Sequence, residues 1–199
     1  MIRDDAIITE INALWLPIYP YMAKHLMAVS QCEGGRLLDL GPFAGGLAVS
    51  LLRRCETCTA VVIDESEPVL RWAEEQAVVG SCASRLTACG LPLYPIPESD
   101  ASFDLVAVRG AFFFLTPELL REVRRVLRPG GFGWVGGGYG PATPDEIIAP
   151  IADRSKILNE TIGKRRIAPA DAQAMVSAAG LGGCARVAEE GGLWIEIRI

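Results

Sequence analysis

The chain has 199 residues, half of them hydrophobic and 22% charged, a composition that suits one folded domain with a sizeable core. Its formal net charge of −5 gives no general attraction for nucleic acid or for an anionic membrane surface. No apolar run approaches the ~18 residues that span a bilayer. The start, Met-Ile-Arg-Asp-Asp, lacks the basic-then-apolar layout of a secretory signal, so a cytoplasmic location is expected.

Residues 1–35 read as a preamble with an interrupted helical pattern, in which Pro17 and Pro20 separate Ile11–Ile18 from Tyr21–Val29. From Arg36 onward strand-like and helix-like segments alternate, which predicts a mostly parallel sheet covered by helices. The strand-like runs are 36–40, 59–63, 85–88, 103–109 and 131–136, with helical patterns over 45–54, 67–79 and 116–127. The last of these has defined ends. Thr116 can cap it, Pro117 suits its first turn, and Arg128-Pro129-Gly130-Gly131 stops it. Leu119, Leu120, Val123, Val126 and Leu127 form its buried stripe, leaving Arg121, Arg124, Arg125 and Arg128 on a solvated face. Helices are predicted over 144–159 and 169–179. The runs 185–189 and 193–198 then flank Glu190-Gly191-Gly192 as an antiparallel hairpin. A second basic group, Lys164-Arg165-Arg166, lies between the last two predicted helices.

The densest signal lies at residues 37–46, where an apolar run stops at Asp39, turns through glycines and enters the helical pattern Leu47–Leu52. Glycines let backbone approach a ligand closely, and a helix N-terminus presents free N–H groups. An acid at the strand end repels a pyrophosphate and attracts an ammonium group. The second run, Val61-Val62-Ile63-Asp64, also ends in an acid. A carboxylate there can accept from both hydroxyls of a ribose, or it can serve the helix that begins near Pro68, for which Ser66 is the better-placed cap.

Asp39-Leu40-Gly41-Pro42-Phe43-Ala44-Gly45 resembles the first motif of the class I S-adenosylmethionine-dependent methyltransferases, acid-x-Gly-x-Gly-x-Gly, with Phe43 in place of the middle glycine. Ser102-Phe103-Asp104-Leu105-Val106 resembles that family's fourth strand. Leu120–Gly131 resembles the helix before its fifth. The resemblance covers most of residues 36–199. It implies a doubly wound, Rossmann-like α/β fold whose seven-stranded sheet has the order 3-2-1-4-5-7-6 with strand 7 antiparallel. Residues 1–199 would form one domain, with 1–35 as a helical lid on an α/β core at 36–199.

The cofactor implied is S-adenosyl-L-methionine, lying where the strand order reverses. Asp39, Gly41, Pro42, Phe43 and Gly45 would line its amino-acid end. Asp64 would take the ribose, and Glu65, Ser66, Gly90 and Leu91 would flank the adenine. Arg109 and Gly110 at the end of the fourth strand would face the reacting methyl group, although Arg109 equally suits a pair with a surface acid. The third strand end departs from the family, because Leu91-Pro92 stands where Gly-Asp is usual.

The activity implied is methyl transfer to a small-molecule acceptor by positioning for direct displacement. His25, the chain's one histidine, is a candidate base or a packing residue. Tyr19, Tyr21 and Tyr139 are candidates to meet the acceptor. Two other readings are a non-catalytic module that binds the cofactor or its demethylated product, and an NAD(P)-dependent oxidoreductase, which Phe43 and Asp39 fit poorly. No metal site, nucleic acid or membrane partner is expected. The positive mean hydropathy permits an apolar contact between two copies as a homodimer. Of the six cysteines, Cys55-x-x-Cys58 reads as reduced structural thiols, with a redox pair or half a metal site as alternatives.

Overall fold

The computed structural model describes residues 4–199. Helix α1 (Asp5–Leu14) begins earlier than the pattern from Ile11 suggested, because Asp4 caps it by accepting from the Ile7 N–H at 3.1 Å. Ile8, Ile11 and Trp15 carry its buried stripe. Helix α2 (Tyr19–Ser30) contains Pro20 in its first turn, where the missing donor costs nothing, so only Pro17 lies in the break.

The sheet strands are β1 (Gly35–Leu40), β2 (Cys58–Asp64), β3 (Leu86–Gly90), β4 (Phe103–Arg109), β5 (Leu127–Gly138), β6 (Ala185–Ala188) and β7 (Gly192–Arg198). Their order is β3-β2-β1-β4-β5-β7-β6, and β7 runs antiparallel to both β5 and β6, as the resemblance implies. Strands β1, β2 and β4 are buried on both faces. Their near-continuous Leu, Val and Ile runs are what a covered parallel sheet requires. Strand β5 starts four residues before the expected 131. Phe103 pairs with Leu127 and Leu105 with Phe132, so Arg128–Gly131 is taken up in an irregularity of the ladder.

Helices α3 (Gly46–Leu52), α4 (Glu67–Val79) and α5 (Pro117–Val126) connect the parallel strands. Ser66 and Thr116 cap α4 and α5 through the N–H groups of Val69 and Leu119. The expected helix over 144–159 is two helices, α6 (Asp145–Ile148) and α7 (Ala152–Thr161), since Pro150 between them cannot donate a helical hydrogen bond. Helix α8 (Pro169–Ala178) completes the set. One core packs α1, α2, α3 and α4 on one face of the sheet, and a second packs α5 and α8 on the other.

Cys55 and Cys58 are joined as a disulfide, which corrects the reading of reduced thiols. The turn between α3 and β2 brings their Cα atoms to 5.4 Å, inside the range that a disulfide bridges. Cys32, Cys82, Cys89 and Cys184 are free thiols.

Candidate functional site

The carboxyl ends of β1 and β4 meet at the point where the strand order reverses, and the sequence candidates converge there. Asp39 is 2% exposed, and its Oδ2 accepts from the backbone N–H groups of Gly45 and Ala48, each at 2.9 Å. The strand-end acid therefore clamps the turn and the first turn of α3 together. Burial is the main cause that pushes its carboxyl up to about 6. The Gly45 and Ala48 donors and the nearby Arg109 charge pull the other way. Gly45 has a φ of +113°, and a Cβ there would stand 2.3 Å from the Ala73 Cβ, so the position takes only glycine.

Asp64 is 3% exposed, and its Oδ1 accepts from the Ser66 N–H at 2.8 Å. A Cβ on Gly41 would come within 2.4 Å of Asp64 Oδ2 and 3.2 Å of a Leu93 methyl, so the glycine turn opens directly onto this carboxylate. Leu93 covers the same spot from the segment after β3. Gly90 ends β3 and Leu91 follows it, both exposed; Glu65 is exposed as well, whereas Ser66 is buried as the α4 cap.

Arg109 is 4% exposed and is not paired with a surface acid, which closes that alternative. Its Nη2 donates to Asn12 Oδ1 and Tyr19 Oη, each at 2.7 Å, and the guanidinium lies over the rings of Trp15, Tyr19 and Phe43 at 4.4, 5.1 and 4.6 Å. Burial lowers the Arg109 pKa, and Tyr19 and Asp39 counter that shift. Phe43 thus has a definite place in the turn that departs from the motif: its ring forms one wall of the arginine's slot and meets Phe113 edge-on at 5.5 Å. Gly110, at a φ of +79°, is what lets β4 turn beneath that ring, since a Cβ there would sit 2.4 Å from Phe43 Cδ2. The cis Gly41–Pro42 bond lies at the start of the same turn.

A cavity of about 500 Å³ opens beside Arg109 and Gly110. Trp15, Phe43, Phe112 and Tyr139 give it aromatic walls, and Gly137 and Gly138 at the end of β5 form part of its lining. Trp15 stacks on Tyr139 at 4.8 Å and donates from Nε1 to Ser155 Oγ at 2.9 Å, tying the first helical segment to α7 across the opening. Of the three candidate tyrosines, Tyr139 lines the cavity, Tyr19 is buried behind Arg109, and Tyr21 is half-buried elsewhere on α2. His25 is half-buried with its ring 5.8 Å from that of Trp134, outside the cavity lining, and burial lowers its pKa.

Sequence reading missed Asn12, Trp15 and the stretch Lys164–Ile167 as parts of this site. Only Lys164-Arg165-Arg166, noticed as a basic group, carried a signal. Among the described residues, no cluster of three or more His, Cys, Asp or Glu is placed to hold a metal ion. No helix among them is long and apolar enough to cross a membrane.

The strand order, with an acid near the end of both β1 and β2 and a glycine turn after β1, gives the chain the fold of the class I S-adenosylmethionine-dependent methyltransferases. Residues 37–131 match the family model described as a methyltransferase domain. Over 101 residues the chain is 34% identical to the ubiquinone/menaquinone biosynthesis C-methyltransferase UbiE of Paracoccus denitrificans, covering 50% of this chain and 40% of that protein. The Geobacter sulfurreducens protein of the same name is 31% identical over 102 residues, with 50% and 40% covered. The chain therefore spans about two-fifths of the length of these curated relatives. Among solved structures, one from Methanococcus maripaludis, provisionally assigned as an S-adenosyl-L-methionine-dependent methyltransferase, superposes with a TM-score of 0.80 at 22% identity, over 98% of this chain and 93% of that one. A methyltransferase from Aquifex aeolicus superposes at 0.67 with 17% identity, over 98% and 97%.

Proposed function

We propose that this protein uses S-adenosyl-L-methionine to methylate a small molecule held in the cavity beside Arg109. The observation that carries the reading is the paired geometry at the sheet crevice. A glycine turn faces a buried carboxylate at the end of β2, and the end of β4 opens into an aromatic-walled cavity. Asp64 would accept from the ribose hydroxyls across the space that Gly41 leaves without a side chain. Gly90 and Leu91 would border the adenine together with Glu65, and Leu93 must move aside to admit the nucleoside. Asp39 and Arg109, of opposite charge, would set the potential felt by the amino-acid end. When bound, the cofactor supplies a methyl group already activated on a sulfonium.

The residues of this chain need then only orient an acceptor and keep water out. Such positioning can supply roughly 7–11 kcal/mol of a displacement barrier. The aromatic walls, Trp15 and Tyr139 closing over the crevice, and the glycines of β5 suit that task. In this reading the segment 1–35, of which residues 1–3 lie outside the described residues, would be a lid on one domain, with Asn12 and Tyr19 holding Arg109 and Trp15 holding α7. The reading includes a cytoplasmic location and requires no dedicated base. His25 therefore has no assigned role in transfer.

A second reading, a module that binds the cofactor without turnover, draws on Phe43 in the glycine turn and on Leu93 over Asp64. Calorimetry with S-adenosylmethionine, S-adenosylhomocysteine and NADH separates these readings. Heat with the two sulfur nucleosides and none with NADH is expected, and heat with NADH alone overturns the proposal. Binding followed by label transfer to any acceptor in a small-molecule panel decides against the silent module.

A further inference from the structure

The cavity's charge is opposite to that of the chain. The protein carries a net −5, yet the lining of this one concavity holds Arg109, Lys156, Lys164, Arg165 and Arg166 against a single acid, Glu160. Not all of these cations are available. Arg165 donates to the carbonyls of Phe112 and Leu115 at 2.9 and 2.8 Å, which anchors its segment along the cavity rim. Arg166 reaches Glu160 only at 3.7 Å.

Two cations are left with an incomplete set of partners. Arg109 is buried, and its Nε has no hydrogen-bond partner among the described residues; no carboxylate among them forms an ion pair with it. Lys164 lies in the mouth of the same cavity with its ammonium 5.8 Å from the Phe112 ring centre, and among the described residues no carboxylate is within ion-pair distance of it. Crowding by protein atoms, then repulsion from Arg109, lowers the Lys164 pKa below its ordinary value, with Glu160 opposing. Arg109, a buried cation, is expensive to hold unless something compensates its charge, whereas Lys164 stays open to solvent at the mouth. An anion between these groups would supply that compensation, and the aromatic walls would hold the body that carries it.

We propose that the methyl acceptor is an oxyanion-bearing molecule with a flat apolar body, its carboxylate or phosphate received by Lys164 and Arg166 at the cavity mouth and by Arg109 at its floor. This rests on the methyltransferase reading for the word acceptor, but the anion subsite itself does not. Residues 164–166 lie outside the matched methyltransferase segment at 37–131, whereas Arg109 lies within it.

The test is calorimetry on the full chain, first saturated with S-adenosylhomocysteine, using benzoate, phenyl phosphate and the neutral benzamide as probes. At least one anion is expected to bind at millimolar concentration, about tenfold or more tighter than benzamide, and to weaken as salt rises. The stronger of the two anions identifies carboxylate or phosphate as the preferred group. Lys164→Gln, at an exposed position that should not disturb folding, is expected to cost the anion about tenfold while leaving S-adenosylhomocysteine affinity unchanged.

Benzamide binding as well as both anions, no anion binding, or unchanged anion affinity in Lys164→Gln overturns the proposal. So does expulsion of the anion by S-adenosylhomocysteine, which assigns the charges to the cofactor's own carboxylate. If S-adenosylhomocysteine does not bind at all, the methyltransferase reading falls separately. The same anion titrations on the untreated protein then still decide the subsite.

Discussion

Asp39→Asn should make the protein more stable and less able to bind its cofactor, and the two effects come from the same buried charge. In the folded chain the Asp39 carboxyl holds its proton up to about 6, against 3.8 for the ordinary side chain. Between those values the native state binds more protons than the unfolded chain, so ionisation of Asp39 removes stability as pH rises. A difference of roughly 2 units corresponds to ~3 kcal/mol at neutral pH. Asparagine cannot ionise, and its Oδ1 can still accept from Gly45 and Ala48, so the clamp on the turn survives. Urea unfolding of both proteins near pH ~4 and pH ~7.5 measures the effect. The stability of Asp39→Asn relative to wild type should grow by up to ~3 kcal/mol between the two conditions. Calorimetry at the higher pH should show weaker S-adenosylmethionine binding, because the negative charge facing the ammonium group is gone. A stability difference that stays constant with pH, or one that shrinks, refutes the reasoning about burial. Unchanged cofactor affinity refutes the electrostatic role.

Asp64→Ala should weaken S-adenosylhomocysteine binding about a hundredfold by calorimetry, from the loss of two charge-assisted bonds to ribose. The loss of its bond to the Ser66 N–H should cost only ~1 kcal/mol in urea unfolding, so a larger loss of stability than of affinity contradicts the assignment. Gly110→Ala should destabilise by roughly 2–4 kcal/mol, combining a left-handed backbone with a Cβ against the Phe43 ring, and a lowered melting temperature checks it. Thr116→Ala should cost ~1 kcal/mol through loss of the α5 cap, with no change in ligand affinity.

The cofactor side of the site was legible in the sequence because its parts are close in the chain and repeat a short-range logic. Asp39 and Gly45 are six residues apart on one strand-turn-helix unit, and Asp64 ends the very next strand. The same holds for the sheet, whose apolar runs and helix caps are local signals. The errors also had local causes. Two cysteines three apart can bridge or not, depending on a turn geometry that spacing alone leaves open. Pro150 split a helix that periodicity alone would have continued.

The acceptor side was legible only in part, through Arg109, Gly110 and Tyr139, and the reason is topological. Trp15, Arg109, Tyr139 and Lys164 come from four separate segments and meet only because β4, β5, α7 and the first helical segment converge on one sheet crevice. Arg109 shows what this costs a sequence reading. On a strand end it suits equally a place beside the reacting methyl and a pair with a surface acid. Its observed partners are an amide oxygen, a phenol and three rings, contributed by segments 66 to 97 positions away. Phe43, read in isolation as a defect in the glycine motif, makes sense only beside that guanidinium, where a glycine would leave one wall of the slot open. The departure from the motif and the buried cation are therefore one feature. Substituting Phe43 by glycine should disturb Arg109 and the acceptor cavity rather than restore an ordinary cofactor turn.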